Sequence, residues 1–169
     1  MRYIDLDKVQ AANEFRRPAP GGYICGITAV KDVPEKEYLR IEFDIAEGEF
    51  KRYYTELNKA RGFWGGVFVR SYSDAALPFF KSFITAVEKS NNGYKFDYEE
   101  QKLKGKYIGL VLGEEEYMSR TGEIKTRLYV HSTRSVQAIK NGEFKAVPKK
   151  LFVPDAGQTS ENIQDDLPF

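Results

Sequence analysis

The chain has one cysteine, one histidine and one tryptophan in 169 residues. A lone Cys25 excludes an intramolecular disulfide and fits a reducing compartment. With His131 as the sole imidazole, a metal site built on Cys and His ligands has too few donors. No apolar run is long enough to span a bilayer. The opening residues, MRYIDLDKVQ, carry charges where a signal peptide needs an apolar stretch. The expectation is a cytoplasmic protein with no membrane partner. Also missing are GxxxxGK[ST], a GxGxxG after a strand, HExxH and CxxC. Two catalytic readings are left, and neither is favoured. Cys25 with His131 could form a nucleophilic pair, but reads better as a small buried hydrophobe and a solvent-facing imidazole. Glu114, Glu115 and Glu116 could hold a metal, but strand alternation sends neighbours to opposite faces, so they read as a solvated charge run. A protein with no enzymatic activity, cofactor or metal is expected.

Charge is balanced only on average. All 26 Lys and Arg and 21 of the 25 acids lie in residues 1–150, which leaves a surplus of five positive charges. Residues 151–169 hold Asp155, Glu161, Asp165 and Asp166 and no base. A mildly basic body with an acidic tail is polarised in a way that bears on partners. Aromatics are plentiful, with 11 Tyr and 12 Phe.

The order of patterns gives a fold class. Residues 1–21 read as an arm or short helix ending at RRPAPGG. Residues 22–30 are apolar and β-branched enough for a strand. YLRIEFDI, residues 38–45, alternates cleanly, with Leu39, Ile41, Phe43 and Ile45 facing a core. EFKRYYTEL reads as continued strand or crossover. After the glycine-bracketed RGFWGG, residues 67–73 form a third strand, with Val67 and Val69 inward. Leu77, Phe80, Phe83, Ile84 and Val87 fall at helical spacing, so a helix runs from Pro78 to Asn91-Asn92-Gly93, with Phe80, Ile84 and Val87 in the core. Residues 106–117 and 124–132 are strands four and five, joined by SRTGE. A short helical piece covers 135–140, and FKAVPKKLFVP adds an edge strand. Three strands, one helix and two strands is the order of a five-stranded Greek-key barrel of the OB type, with its helix between strands three and four. The domain is placed at 22–153 and a disordered acidic tail at 154–169.

Cations and rings are interleaved repeatedly. Lys51, Arg52 and Tyr53 form one set, and Arg61 with Trp64 another. Phe68, Arg70 and Tyr72 share one face of the third strand, and Lys125, Arg127, Tyr129 and His131 one face of the fifth. Positive grooves with exposed rings hold single-stranded nucleic acid, because every base has a π-face to stack. On this reading Trp64, Phe68, Arg70, Tyr72, Arg127 and Tyr129 contact the strand, Lys51, Arg52, Arg61, Arg120 and Lys125 supply phosphate contacts, and Tyr53 belongs to the same nucleic-acid-binding set. The alternative is that these rings cap the core under the arm. Trp64 suits a base-stacking loop and a core anchor equally.

The last five residues, Asp165-Asp166-Leu167-Pro168-Phe169, resemble the C-terminal tip of bacterial and phage single-stranded-DNA-binding proteins. RSYSDAALPFFKSFITAVEKSN followed by LGEEEY is similar to small replication-associated proteins of phages infecting Gram-positive bacteria. The resemblance implies a phage or prophage protein in the bacterial cytoplasm. It would cover single-stranded DNA in replication and recombination, and recruit partner enzymes through the tip. A homo-oligomer is compatible with it. The tip suits recruitment, since acids steer it to basic surfaces and Phe169 offers a ring beside a carboxylate. The rival readings are a phage interaction module that captures a host enzyme without binding DNA, and a phage structural or assembly protein.

Overall fold

The computed structural model describes residues 1–9 and 16–154. Five strands, β1 (Gly21–Val33), β2 (Tyr38–Ile45), β3 (Val67–Ser71), β4 (Tyr107–Met118) and β5 (Ile124–Arg134), form one antiparallel sheet in the order β3-β2-β1-β4-β5. Three helices accompany it: α1 (Tyr53–Arg61), α2 (Leu77–Ser90) and α3 (Val136–Lys140). The fold is mainly β, and the sheet is not closed, so β3 and β5 are its two edges. No helix among the described residues is long and apolar enough to cross a membrane. The tail from 155 onward, with its terminal pentapeptide, lies outside the described residues.

β2 matches its expected span, because its alternation admits one solution: Leu39, Ile41, Phe43 and Ile45 are all buried. A single core cluster joins Cys25 and Ile27 of β1, Phe68 of β3, Leu110 of β4 and Val130 of β5. Both edge strands therefore contribute to one interior, and the sheet must curl around it. α2 fills that interior with Phe83, Ile84, Ala86 and Val87, while Phe80 is half-buried at its margin. α3 sits on the backbone of β4: a Cβ on Gly109 would lie 2.5 Å from Ile139 Cγ1 and 2.8 Å from the carbonyl oxygens of Arg134 and Ser135. Only glycine permits this approach.

Two local expectations are corrected. EFKRYYTEL is not extended, since α1 begins at Tyr53. Its nucleus lies elsewhere in the chain: the Asp44 carboxylate accepts from the backbone N–H groups of Tyr54 at 2.9 Å and Thr55 at 3.1 Å, and from Thr55 Oγ1 at 2.5 Å. A buried strand carboxylate thus satisfies the helix's orphan donors. The edge strand expected from FKAVPKKLFVP reduces to one parallel bridge between Lys150 and Glu115. In the arm, the described residues Leu6–Lys8 form a 3-10 turn with no buried side chain, and residues 10–15 lie outside the described residues.

Asp44 is 8% exposed and also accepts from the Ile45 N–H at 2.9 Å. Asp44→Ala should lower unfolding stability by about 2–4 kcal/mol, because it orphans several buried donors at once. Urea denaturation followed by circular dichroism checks this, and a loss near zero would contradict the capping role.

Candidate nucleic-acid interface

β5 sets the geometry. Val111 pairs with Ser132 and Leu112 with Val130, so His131 is the extra residue of a β-bulge. Below the bulge, Leu128 and Val130 point to the core, and Lys125, Arg127 and Tyr129 lie on the opposite face, as their alternation predicts. On that outer face cations stand against rings. The Arg127 guanidinium stands 4.6 Å from the Tyr117 ring centre, and Lys150 Nζ stands 4.5 Å from that of Tyr129. Tyr129 meets His131 edge-on at 6.3 Å. The Tyr129 ring lies against Gly113, where a Cβ would come within 2.8 Å of it. Its hydroxyl is buried without a partner among the described residues, and burial raises its pKa.

Above the bulge the ladder opens into a trough. One part, about 600 Å³, is lined by Arg70 of β3, Phe79 and Ser82 of α2, and residues 131–134 of β5. A second, about 660 Å³, shares His131, Ser132 and Arg134 and runs under Phe144 and Lys145. The two sheet edges thus face each other across a seam whose walls carry Arg70 and Arg134, and Lys145 lines the adjoining part. Among the described residues, Glu143 is the one acid lining these two parts. Arg70 is 4% exposed; its Nη1 donates to the Val69 carbonyl at 3.0 Å, and its guanidinium lies 5.0 Å from the Phe68 ring centre. Burial lowers its pKa to about 10, which leaves it charged at neutral pH. The His131 pKa is lowered, first by burial and then by the positive charges of Lys150 and Arg134.

The structure gathers some of the expected site residues and disperses others. Arg70, Lys125, Arg127 and Tyr129 belong to the ladder and trough. Phe68 does not, and the phase expected for β3 is inverted. Phe68 opposes Ile41 and Arg70 opposes Leu39, so both face inward, whereas Val67 and Val69 oppose Glu42 and Arg40 on the outer face. A phenylalanine buries more area than a valine, and Phe68 meets Phe43 at 5.7 Å and Phe83 at 5.9 Å. Tyr72 lies on a different cleft beside α2, and its hydroxyl donates to Asp32 at 2.7 Å; that bond pushes its pKa up to about 12. Trp64 packs against the core and donates its indole N–H to the Gly66 carbonyl at 3.1 Å, the anchor role of its two readings. Lys51 and Arg52 are exposed on the turn into α1, and Arg120 on the β4–β5 loop. Tyr53 and Arg61 lie on α1, and Tyr53 is close to Arg17, which donates to the Thr126 carbonyl at 2.9 Å. The acidic run is paired rather than solvated: Glu114 meets Arg17 at 3.1 Å, Glu115 meets Arg127 at 2.9 Å, and Glu116 accepts from the Phe152 N–H at 3.1 Å. Cys25 is fully buried, and burial raises its thiol pKa.

Sequence reading missed Phe79, Ser82, Arg134, Phe144, Lys145 and Lys150. The basic stretch around Lys145 and Lys150 was the signal for the last pair, and a phenylalanine off the core stripe was the signal for Phe79, which is 51% exposed.

His131 titrates alone, so its state can be read by proton NMR. Its midpoint should lie below the ordinary 6.5, and Lys150→Gln should raise it. As pH falls from 6.5 toward the folded midpoint, the unfolded chain takes the proton first, so stability should fall across that window. A midpoint at or above 6.5 would contradict the electrostatics described. No model of a known protein family and no curated protein matches the chain, so the meaning of the trough rests on its own chemistry.

Proposed function

We propose that the protein is a non-catalytic single-stranded-DNA-binding protein of phage type, with the strand running along the outer face of β5 and into the seam between β3 and β5. One observation carries the reading: the outer face from Lys125 to His131 sets cations against rings, Arg127 on Tyr117 and Lys150 on Tyr129, and leads into a trough lined by Arg70, Arg134 and Lys145. Cations of this kind meet phosphates and half-buried rings stack bases, which needs no sequence code. The strand order β3-β2-β1-β4-β5, with α2 between β3 and β4, supports an OB-type barrel opened at one seam. In this reading the terminal Asp165-Asp166-Leu167-Pro168-Phe169 recruits replication or recombination enzymes in the cytoplasm of the bacterial host, and strand binding does not need the tail.

Fluorescence anisotropy of labelled oligo-dT tests this better than Trp64 emission, because Trp64 packs on the core away from the trough. Binding should weaken steeply with salt, and Arg134→Ala and Lys145→Ala should each reduce the salt slope by about 1 while weakening every sequence alike. A phosphate beside His131 favours its charged form, so affinity should rise on acidification toward the His131 midpoint, and His131→Gln should remove that rise. Removal of residues 161–169 should leave affinity intact or raised. Absence of oligo-dT binding at low salt, or equal affinity for duplex, would defeat the reading.

A further inference from the structure

Two apolar surfaces of this chain have no partner among the described residues. The first is the N-terminal arm, where Tyr3 is 88%, Leu6 71% and Val9 58% exposed. The second is a cleft of about 920 Å³ beside α2, walled by Leu39, Tyr72, Leu77, Phe80, Phe96 and Tyr98. Its rings form a chain: Tyr72 to Phe80 at 6.1 Å, Phe80 to Phe96 at 6.3 Å, and Phe96 to Tyr98 at 5.4 Å. Tyr98 is 87% exposed and held at φ 65°, a left-handed conformation that a bulky residue rarely takes. Apolar walls left open in this way mark an interaction surface.

The charges around the cleft indicate its occupant. Asp32, Glu88 and Glu100 line it against two lysines, and one of these, Lys95, stands 3.8 Å from Glu88. Such a rim, with one acid in excess, offers a phosphate backbone no net attraction and suits an apolar, nearly charge-balanced peptide. Residues 1–9 are such a peptide: Arg2 and Lys8 balance Asp5 and Asp7, and Lys8 already meets Asp5 at 3.2 Å. The arm cannot comfortably reach its own cleft. It is rooted where β1 starts and β2 ends, through Arg16 to Glu49 and Arg17 to Glu114. The cleft lies where β1 ends and β2 starts, beside Asp32 and Leu39. Gly21 to Asp32 spans about 36 Å of strand. Leu6 to Arg16 spans about 35 Å only when fully taut, and Leu6–Lys8 is a turn.

We infer that the arm of one copy docks in the aromatic cleft of a second copy, head to tail. The contact joins two different patches, so each copy offers one arm and one cleft, and copies can add head to tail. This holds whether or not the chain binds nucleic acid.

Sedimentation velocity of the full chain over a concentration series tests it. The wild-type chain should associate as concentration rises. Leu6→Asp in the arm and Tyr98→Asp in the cleft should each abolish association; both positions are exposed, and Asp tolerates a left-handed backbone. Mixing the two variants should restore a species of two protomers and no more, since one keeps an intact cleft and the other an intact arm. A wild-type chain that stays monomeric, association that survives either variant, or a mixture that fails to pair would each overturn the proposal. So would lost oligo-dT affinity in Tyr98→Asp with association unchanged, which would give the cleft to nucleic acid.

Discussion

A guanidinium does not surrender its charge inside a protein, so a fold that takes in Arg70 must surround it with dipoles. The β3 register leaves no choice: Phe68 and Arg70 share a face, and burying the first brings in the second. The chain resolves this conflict by making β3 an edge strand. There Arg70 reaches the Val69 carbonyl and the Phe68 ring on one side, and the trough on the other. Zipping β3 directly onto β5 would close the trough that Arg70 lines. The seam between the two edges is thus the counterpart of a buried charge, and the candidate interface is built on it.

The bulge at His131 serves the same geometry from the opposite edge. An extra residue in β5 shifts the phase of the three positions after it, so Thr133 is buried while Arg134 lines the trough. Without it, alternation would carry Arg134 to the core face along with Leu128 and Val130. One irregular residue therefore lets a single strand serve two purposes: a regular ladder over Lys125, Arg127 and Tyr129, then a cationic wall at the seam.

What could be read from the chain depended on how local its causes were. β2, the hairpin after Met118 and α2 follow from periodicity within about ten residues, and they emerge where expected. The phase of β3 was ambiguous, because Val-Phe-Val-Arg offers an apolar set in either register and a charge in one; side-chain volume decided it against the charge. α1 was missed because its N-terminal donors are satisfied by Asp44, ten residues upstream of Tyr54. The trough was the least legible part. It needs Arg70, Phe79, His131 and Lys145 from separate elements, and no window of sequence contains them together. The outer face of β5 was legible because it is a single strand with clean alternation.

α2 separates two surfaces of opposite character. Phe79 faces the seam and Phe80 the aromatic cleft, as adjacent residues on a helix turn through about 100°. On the seam side the chemistry is cationic, and added salt screens it. On the cleft side acids and lysines nearly cancel, so what is left is apolar burial, which salts excluded from protein surfaces strengthen. A single helix thus keeps apart a surface suited to a polyanion and one suited to a neutral apolar segment, and ionic conditions act on the two in opposite directions. A single ligand occupying both faces would have to meet rings that stand among carboxylates in the cleft and rings that stand among cations on β5.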